Sequence, residues 1–263
     1  MSRRHAILRL EAPLLAFGAE MVDARGPVRP FPAASMLTGL IANALGWRRW
    51  QPARHQRLQA RLIFAAVIDQ AARPLRDFQT AQLGAGDVGW TTRGRVEKRG
   101  GGANTYKSPH IRYRDFWADA RVAVALRLDP ADEDDQPDLD DVARALDRPA
   151  RPLFIGRKPC LPAVPIFAGF VAAPDVLDAL VAWLARDDAG AHVGRRRRES
   201  PDWRIALPGP AAEEAGDRLA RAEEIWLTDE RDWHSGVHAG RRRVVVGNYV
   251  RPVEPSAEQG DAP

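Results

Sequence analysis

The spacing of apolar residues changes several times along the chain, and each change marks an element. Residues 5–10 (His-Ala-Ile-Leu-Arg-Leu) alternate apolar and polar positions and predict an opening strand. A loop with several glycines and prolines follows, over residues 12–32. Residues 33–45 predict a small apolar helix. Leu37, Leu40, Ile41, Ala44 and Leu45 supply its spacing, and Gly46 stands where a helix stop belongs. A short amphipathic helix is expected over 54–60, then a mostly apolar strand over 61–69. Residues 73–80 and 112–118 read as further strands. Residues 120–128 alternate cleanly through Val122, Val124, Leu126 and Leu128 and predict a strand with one face in a core. A helix over 139–146 closes this first part.

The chain then changes character. Residues 149–165 (PARPLFIGRKPCLPAVP) read as a proline-rich connector. A strand is expected at 166–171 and an amphipathic helix at 175–185. Further strands are expected at 203–207, 224–228 and 242–247. The α+β order strand–helix–strand–strand–helix–strand matches a split βαβ, ferredoxin-like plan, which RNA-recognition-motif domains share. The expected organisation is a ferredoxin-like domain over 1–148, a connector and small C-terminal β-rich domain over 149–253, and a polar, disordered tail over 254–263. No internal repeat is visible.

Composition adds location and partner class. The 263 residues are enough for one large or two small domains with a real core. No apolar run reaches the roughly 18 residues of a membrane span. The opening MSRRHAILRLEAP lacks the sustained apolar region of a signal peptide, so a cytoplasmic protein is expected, with no membrane partner. The single cysteine, Cys160, excludes an intrachain disulfide and a cysteine-rich zinc site. Net charge is only +4, but residues 129–141 carry eight acids and no base, which concentrates positive charge elsewhere. Of 39 basic residues only three are lysines, a bias that a GC-rich genome explains as well as phosphate binding does.

The densest basic segment is 81–115, with seven Lys or Arg against three acids, the run Gly100-Gly101-Gly102, and Trp90, Tyr106 and Tyr113. A connection this long between two strands is usually functional. Its basic, glycine-rich, aromatic composition suits a nucleic-acid backbone. Three other segments are candidates. In Arg25-Gly26-Pro27-Val28-Arg29-Pro30, leading to Ser35 at a helix start, two arginines precede free N–H groups that favour an anion. An ordinary serine cap with solvent-facing arginines fits the same residues. In Gly156-Arg157-Lys158-Pro159-Cys160, a glycine before two bases either brings backbone close to a phosphate or makes a plain basic turn. Arg231-Asp232-Trp233-His234-Ser235-Gly236 reads as a hairpin with a basic end. His234 and His238 lack the helical setting and third ligand of a zinc site, and the acidic run lacks the glycine and ligand spacing of a calcium loop. No metal and no cofactor are expected.

Taken in order, these segments resemble the Cas-five family of CRISPR repeat-associated proteins, in the branch serving the type I-E surveillance complex, Cascade. The resemblance rests on ILRLEAPLLAFG, RPFPAASMLTGLIANALGW, LRDFQT, KSPHIRYRDFWADARVAVAL, LFIGRKPCLPAVPIF and RDWHSGVHAGRR, spread over residues 6–247. It implies a ferredoxin-like domain with a long protruding β-hairpin, or thumb, at about 82–111, plus a small C-terminal β domain. It implies a subunit that holds the 5′ handle of the CRISPR guide RNA. Such a subunit contacts the CasC backbone subunit, has the large CasA subunit nearby, and meets target DNA indirectly through the complex. On this template Arg25, Arg29 and Ser35 contact the handle; Arg93, Arg95, Lys98, Arg99, Lys107 and His110 line the RNA path; Arg157 and Lys158 hold the handle near Cys160; Tyr106 and Trp90 are candidates for stacking on bases, and Trp90 equally suits packing of the thumb on a neighbouring subunit. Some relatives cleave repeat RNA without metal. Here Tyr106, Lys107 and His110 are the residue types that chemistry needs, as partner, electrostatic stabiliser and general base or acid. In a type I-E complex cleavage belongs to the CasE subunit, so the chain is expected to be non-catalytic.

Overall fold

The computed structural model describes residues 2–21, 23–68, 72–82, 88–90, 96–97, 109–186, 202–238 and 240–250. Arg93, Arg95, Lys98, Arg99, Tyr106 and Lys107, the Trp90 side chain, and the tail from 254 lie outside this description.

The strands are β1 (Arg3–Glu11), β2 (Leu14–Leu15), β3 (Arg25–Gly26), β4 (Leu62–Val67), β5 (Arg73–Ala81), β6 (Gly89–Trp90), β7 (Val96–Glu97), β8 (His110–Ala118), β9 (Arg121–Leu128), β10 (Phe167–Ala173), β11 (Asp202–Pro208), β12 (Ala220–Leu227) and β13 (Arg242–Val250). The helices are α1 (Ala34–Ala44), α2 (Pro52–Arg61), α3 (Leu139–Asp147), α4 (Val176–Leu184) and α5 (Pro210–Ala215). The main sheet has seven strands in the order β10-β1-β9-β4-β11-β13-β12, and all its pairings are antiparallel.

Both faces of the central strands are covered, which is why β4 (LIFAAV) is apolar throughout and buried at every position. Leu62, Phe64 and Ala66 join one core with Leu37, Leu40 and Ile41 of α1, Leu58 of α2 and Val142 and Leu146 of α3. Ile63, Ala65 and Val67 join a second core with Leu177, Leu180 and Trp183 of α4 and the alanines of α5. The alternation in β9 follows the same rule. Val122, Val124, Leu126 and Leu128 fill the first core, and the small Ala123 and Ala125 between them let α4 pack closely on the other face. Each fully buried Leu or Phe contributes about 1.5–3 kcal/mol. β9 lies where the alternation predicts a strand, and both of its faces are buried.

Two expectations about organisation change. The strands expected as a separate C-terminal part continue the main sheet: Ile205 and Ala206 of β11 pair with Val67 and Ala66 of β4, and Ile68 N–H donates to Arg204 C=O at 2.8 Å. The boundary at 148 also falls short of β10, which pairs with β1 from Arg3↔Ala173 to Leu8↔Phe167.

A second sheet is hydrogen-bonded separately, with Leu15 and Phe116 packed into the first core. β5 and β8 pair antiparallel over nine residues, from Arg73↔Ala118 to Ala81↔His110. β2 and β3 add to the other side of β8. β5 is exposed along almost its whole length, with Leu75 and Phe78 facing solvent. Beyond this ribbon, β6 pairs with β7.

Candidate nucleic-acid interface

The fold brings three of the four basic segments to one groove of about 770 Å³. Its walls come from the loop before α1 (Gly18, Glu20, Met21 and Arg29), the first turns of α1 (Ser35, Met36, Gly39), the turn Phe154–Arg157 and the loop Thr228–His238. Among the described residues, none of the fourth segment, at the β5/β8 ribbon, lines the groove. His110 sits exposed at the ribbon's far end.

The loop before α1 is fixed by its backbone. Arg29 N–H donates to Phe17 C=O at 2.7 Å, and Arg29 C=O accepts from Trp117 Nε1 at 2.7 Å. The Arg29 side chain is 9% exposed and pairs with the Glu20 carboxylate. Burial pushes the Glu20 carboxyl up, but its own N–H and Arg29 outweigh this and hold it below its ordinary value. Arg29 is thus already neutralised by a neighbour rather than open to a phosphate.

The start of α1 is also occupied. Ala34 N–H donates to Asp229 Oδ2 at 3.1 Å, and Ser35 N–H to Asp229 C=O at 3.1 Å. The N-cap residue is Ala33, and Ser35 makes no side-chain cap. Asp229, 2% exposed, receives Arg242 Nε at 2.9 Å and a second bond from Arg242 Nη2. An internal carboxylate therefore takes the place expected for a phosphate, and it satisfies the helix N–H groups for the same dipolar reason.

The Gly156 turn is a packing device. Gly156 has φ +86°, and a Cβ there would lie 1.9 Å from Ala16 C=O. The close approach expected of this glycine is to the protein's own backbone. Arg157 crosses to the second sheet, donating from Nη1 to Asp115 C=O at 2.8 Å and from Nη2 to Gly26 C=O at 2.9 Å. Its guanidinium lies 4.9 Å from the Phe116 ring centroid. Burial, then the neighbouring Arg114, lowers its pKa from an ordinary value far above neutrality. Arg157 clamps two layers together. Lys158, next in the chain, is exposed, as is Arg25.

The RDWH segment is anchored to α2 by side chains that sequence reasoning did not single out. Gln59 Oε1 accepts from Arg231 N–H at 3.1 Å and from Trp233 Nε1 at 3.0 Å, and Gln59 Nε2 donates to Arg231 C=O at 3.0 Å. Trp233 N–H donates to Gln56 Oε1 at 3.1 Å, and the Trp233 and His55 rings lie 4.7 Å apart. Arg231 packs over Trp233 at 5.4 Å and is half-buried at the groove edge. Burial and then the nearby Arg49 lower its pKa. Gln56 and Gln59 carried only one signal: polar residues three apart on an otherwise amphipathic helix.

Of the cations that line the groove, Arg29 and Arg157 are internally bonded and form its inner wall, with Arg242 holding Asp229 behind it; Arg231 is half-buried at the edge, and the exposed Arg25 and Lys158 belong to the same segments. Among the described residues, no acid pairs with Arg25, Lys158 or Arg231 and no cluster of metal-ligating side chains occurs. No helix among them is long and apolar enough to cross a membrane.

Comparison with known proteins places this architecture. Residues 7–245 match the family described as CRISPR-associated protein (Cas_Cas5). The CRISPR system Cascade subunit CasD of Escherichia coli (strain K12) is 28% identical over 179 residues, 68% of this chain and 76% of that protein. A chain of a CRISPR RNA-guided surveillance complex superposes with a TM-score of 0.60 at 21% identity, covering 95% of this chain and 91% of that one. A chain from a crystal structure of a Cas protein gives 0.50 at 22% identity, covering 94% and 95%. At these identities the structural likeness is one of fold.

Proposed function

Because the chain belongs to the Cas5 family of CRISPR-associated proteins, which it matches over residues 7–245, we propose that it is a CasD-type subunit of a type I-E Cascade surveillance complex. In this reading it holds the 5′ handle of the guide RNA, nucleates the CasC backbone subunits, lies beside CasA and meets target DNA through the assembled complex. The E. coli relative, named as a Cascade subunit, supports this assignment.

The observation that carries it is the convergence on one groove of basic segments about 130 and 200 residues apart in sequence, two of which hold Arg29, Ser35 and Arg157, candidate RNA contacts in the sequence, while the third reads there as a hairpin with a basic end. A groove with a rigid inner wall and an open cationic rim suits a single strand of fixed course. Phosphates meet the rim, and the apolar floor around Met36 and Leu40 accommodates bases. Arg25 and Lys158 remain contact residues in this proposal. Arg29, Ser35 and Arg157 become residues that shape the groove.

The order β1–(α1, α2)–β4–β9–α3–β10, with the four strands arranged β10-β1-β9-β4, supports the ferredoxin-like reading of this part. The β5/β8 ribbon supports a thumb that projects from it and carries the basic segment 82–111 toward RNA and CasC. The subunit is taken to be non-catalytic and to work without a cofactor.

The test incubates the purified full chain with repeat-derived RNA and with the same RNA carrying a scrambled handle. Tighter binding of the intact handle, with both RNAs uncut in the presence or absence of EDTA, is expected. Specific cutting abolished by His110→Ala would establish instead the metal-independent endoribonuclease.

A further inference from the structure

We propose that Arg49 and Arg231 form a phosphate clamp at the groove rim, with Trp50 as an adjoining platform for a base of the same single-stranded nucleic acid. The proposal rests on the RNA-binding reading above and joins Arg231 of the 231–236 segment to Arg49 and Trp50, which lie outside every basic segment read from the sequence.

The geometry is unusual for two cations. Gly236 has φ +79°, and the point where its Cβ would lie is 3.2 Å from Arg231 Nη2 and 3.6 Å from Arg49 Nη2. Two guanidinium groups therefore converge on one spot that only a glycine leaves open. The acids around them are all committed. Asp232 accepts from His234 N–H at 2.9 Å, Ser235 N–H at 3.3 Å and Ser235 Oγ at 2.8 Å, so it is turned into its own loop. Asp229 is bound to Arg242, and Glu230 lies 3.8 Å from the same arginine. No described carboxylate reaches Arg49 or Arg231.

Like charges held this close repel, and burial of Arg231 weakens the solvent screening that would relieve them. Such an arrangement is compatible with a stable fold when an anion bridges the pair in the working state. A phosphodiester fits best, because arginine forks bind its oxygens bidentately. The immobilised loop supports this. Arg231 is fixed by both backbone bonds to Gln59 and by its Trp233 contact, so one half of the clamp is preorganised.

Trp50 points to a nucleotide rather than a free anion. It follows Arg49 directly and is 76% exposed, the most exposed large apolar side chain described. Arg48 lies over its ring at 5.7 Å. An exposed indole beside paired arginines offers stacking and charge together, as sequence-tolerant single-strand binders do.

The experiment uses the full chain, titrated by fluorescence anisotropy with intact-handle and scrambled-handle RNA at several salt concentrations. Arg49 is a surface residue, so Arg49→Gln leaves the fold intact; removal of its repulsion leaves the melting temperature unchanged or raised. Arg49→Gln is expected to weaken either RNA about five- to tenfold and to reduce the salt slope by roughly one. Trp50→Ala is expected to weaken it severalfold without changing the slope. Unchanged affinity and slope in Arg49→Gln would overturn the clamp. Thermal protection of the wild type, but not of Arg49→Gln, by millimolar inorganic phosphate together with unchanged RNA binding would identify a free-anion site and overturn the nucleotide assignment. Handle recognition is judged separately by the ratio of the two RNAs in the wild type. Equal affinities would remove the handle reading, while the clamp would still stand or fall on the Arg49→Gln effect.

Discussion

Arg157 and Arg231 border the same groove, yet they live in opposite circumstances. Arg157 reaches across two layers, donates to two backbone carbonyls and lies over Phe116. Arg231 faces another arginine and finds no acid. Both stand in motifs that look equally basic in sequence. The difference teaches that positive charge at a groove divides into cations that build the wall and cations that remain to meet a ligand, and that only the partners of each side chain separate them. A substitution in the wall should act on folding, and one at the rim on binding.

The largest expected effect is at Gly156. Gly156→Ala places a methyl group against Ala16 C=O and imposes a left-handed backbone on a residue with a Cβ. A loss on the order of 3 kcal/mol or more is expected in urea unfolding. Unfolding at an unchanged midpoint would mean that this turn is not the wall's anchor. Next is Asp229→Ala, which removes the α1 cap and leaves the largely covered Arg242 with only the longer Glu230 pair, 3.8 Å away. About 3 kcal/mol is expected from the same measurement. A variant as stable as wild type would dissolve the distinction between wall and rim at its strongest point.

At the rim, Lys158→Glu should leave the unfolding midpoint within roughly 0.5 kcal/mol of wild type. It should weaken handle RNA severalfold and flatten the salt dependence. The converse pattern, lost stability with intact binding, would move Lys158 into the wall.

The smallest expected effect is at His5, away from the groove. His5 is fully buried, with its ring against the backbone of Val171 and Arg3. Burial, and then the Arg127 cation, lowers its pKa below the ordinary 6.5. The unfolded chain therefore takes up this proton first. Stability is fully present above about pH 6.5 and is lost as pH falls toward the folded-state value. Comparison of wild type with His5→Gln in urea at pH 7.5 and 5.5 should show a larger acid loss in wild type, with a slope no steeper than about 1.4 kcal/mol per pH unit. Equal losses would show that His5 does not contribute.

Local elements were largely readable because their periods are local. Leu37, Leu40 and Ile41 mark α1, and the unbroken apolar run of β4 marks a strand covered on both faces. The sheet's continuation was not readable, since only two residue pairs join β4 to β11 across a long stretch of chain. The site divided in the same way. The segments that meet at the groove were visible as basic motifs, and Gly156 was visible as a point of close approach. What approaches Gly156 was not visible, because Ala16 lies in a loop with no periodic signal. The Asp229 cap comes from 195 residues away from Ala34, beyond any motif. Arg49 was hidden because its significance depends wholly on Arg231 and Gly236, which no sequence neighbour announces.

The central claim is that the groove rim holds the guide's 5′ handle. Ultraviolet crosslinking of the assembled ribonucleoprotein, read by mass spectrometry of this subunit's peptides, tests it most directly. Handle nucleotides crosslinked to the 228–238 loop and to residues 47–50 are the predicted result. Handle crosslinks confined to other surfaces of this subunit, with none at the rim, would contradict it.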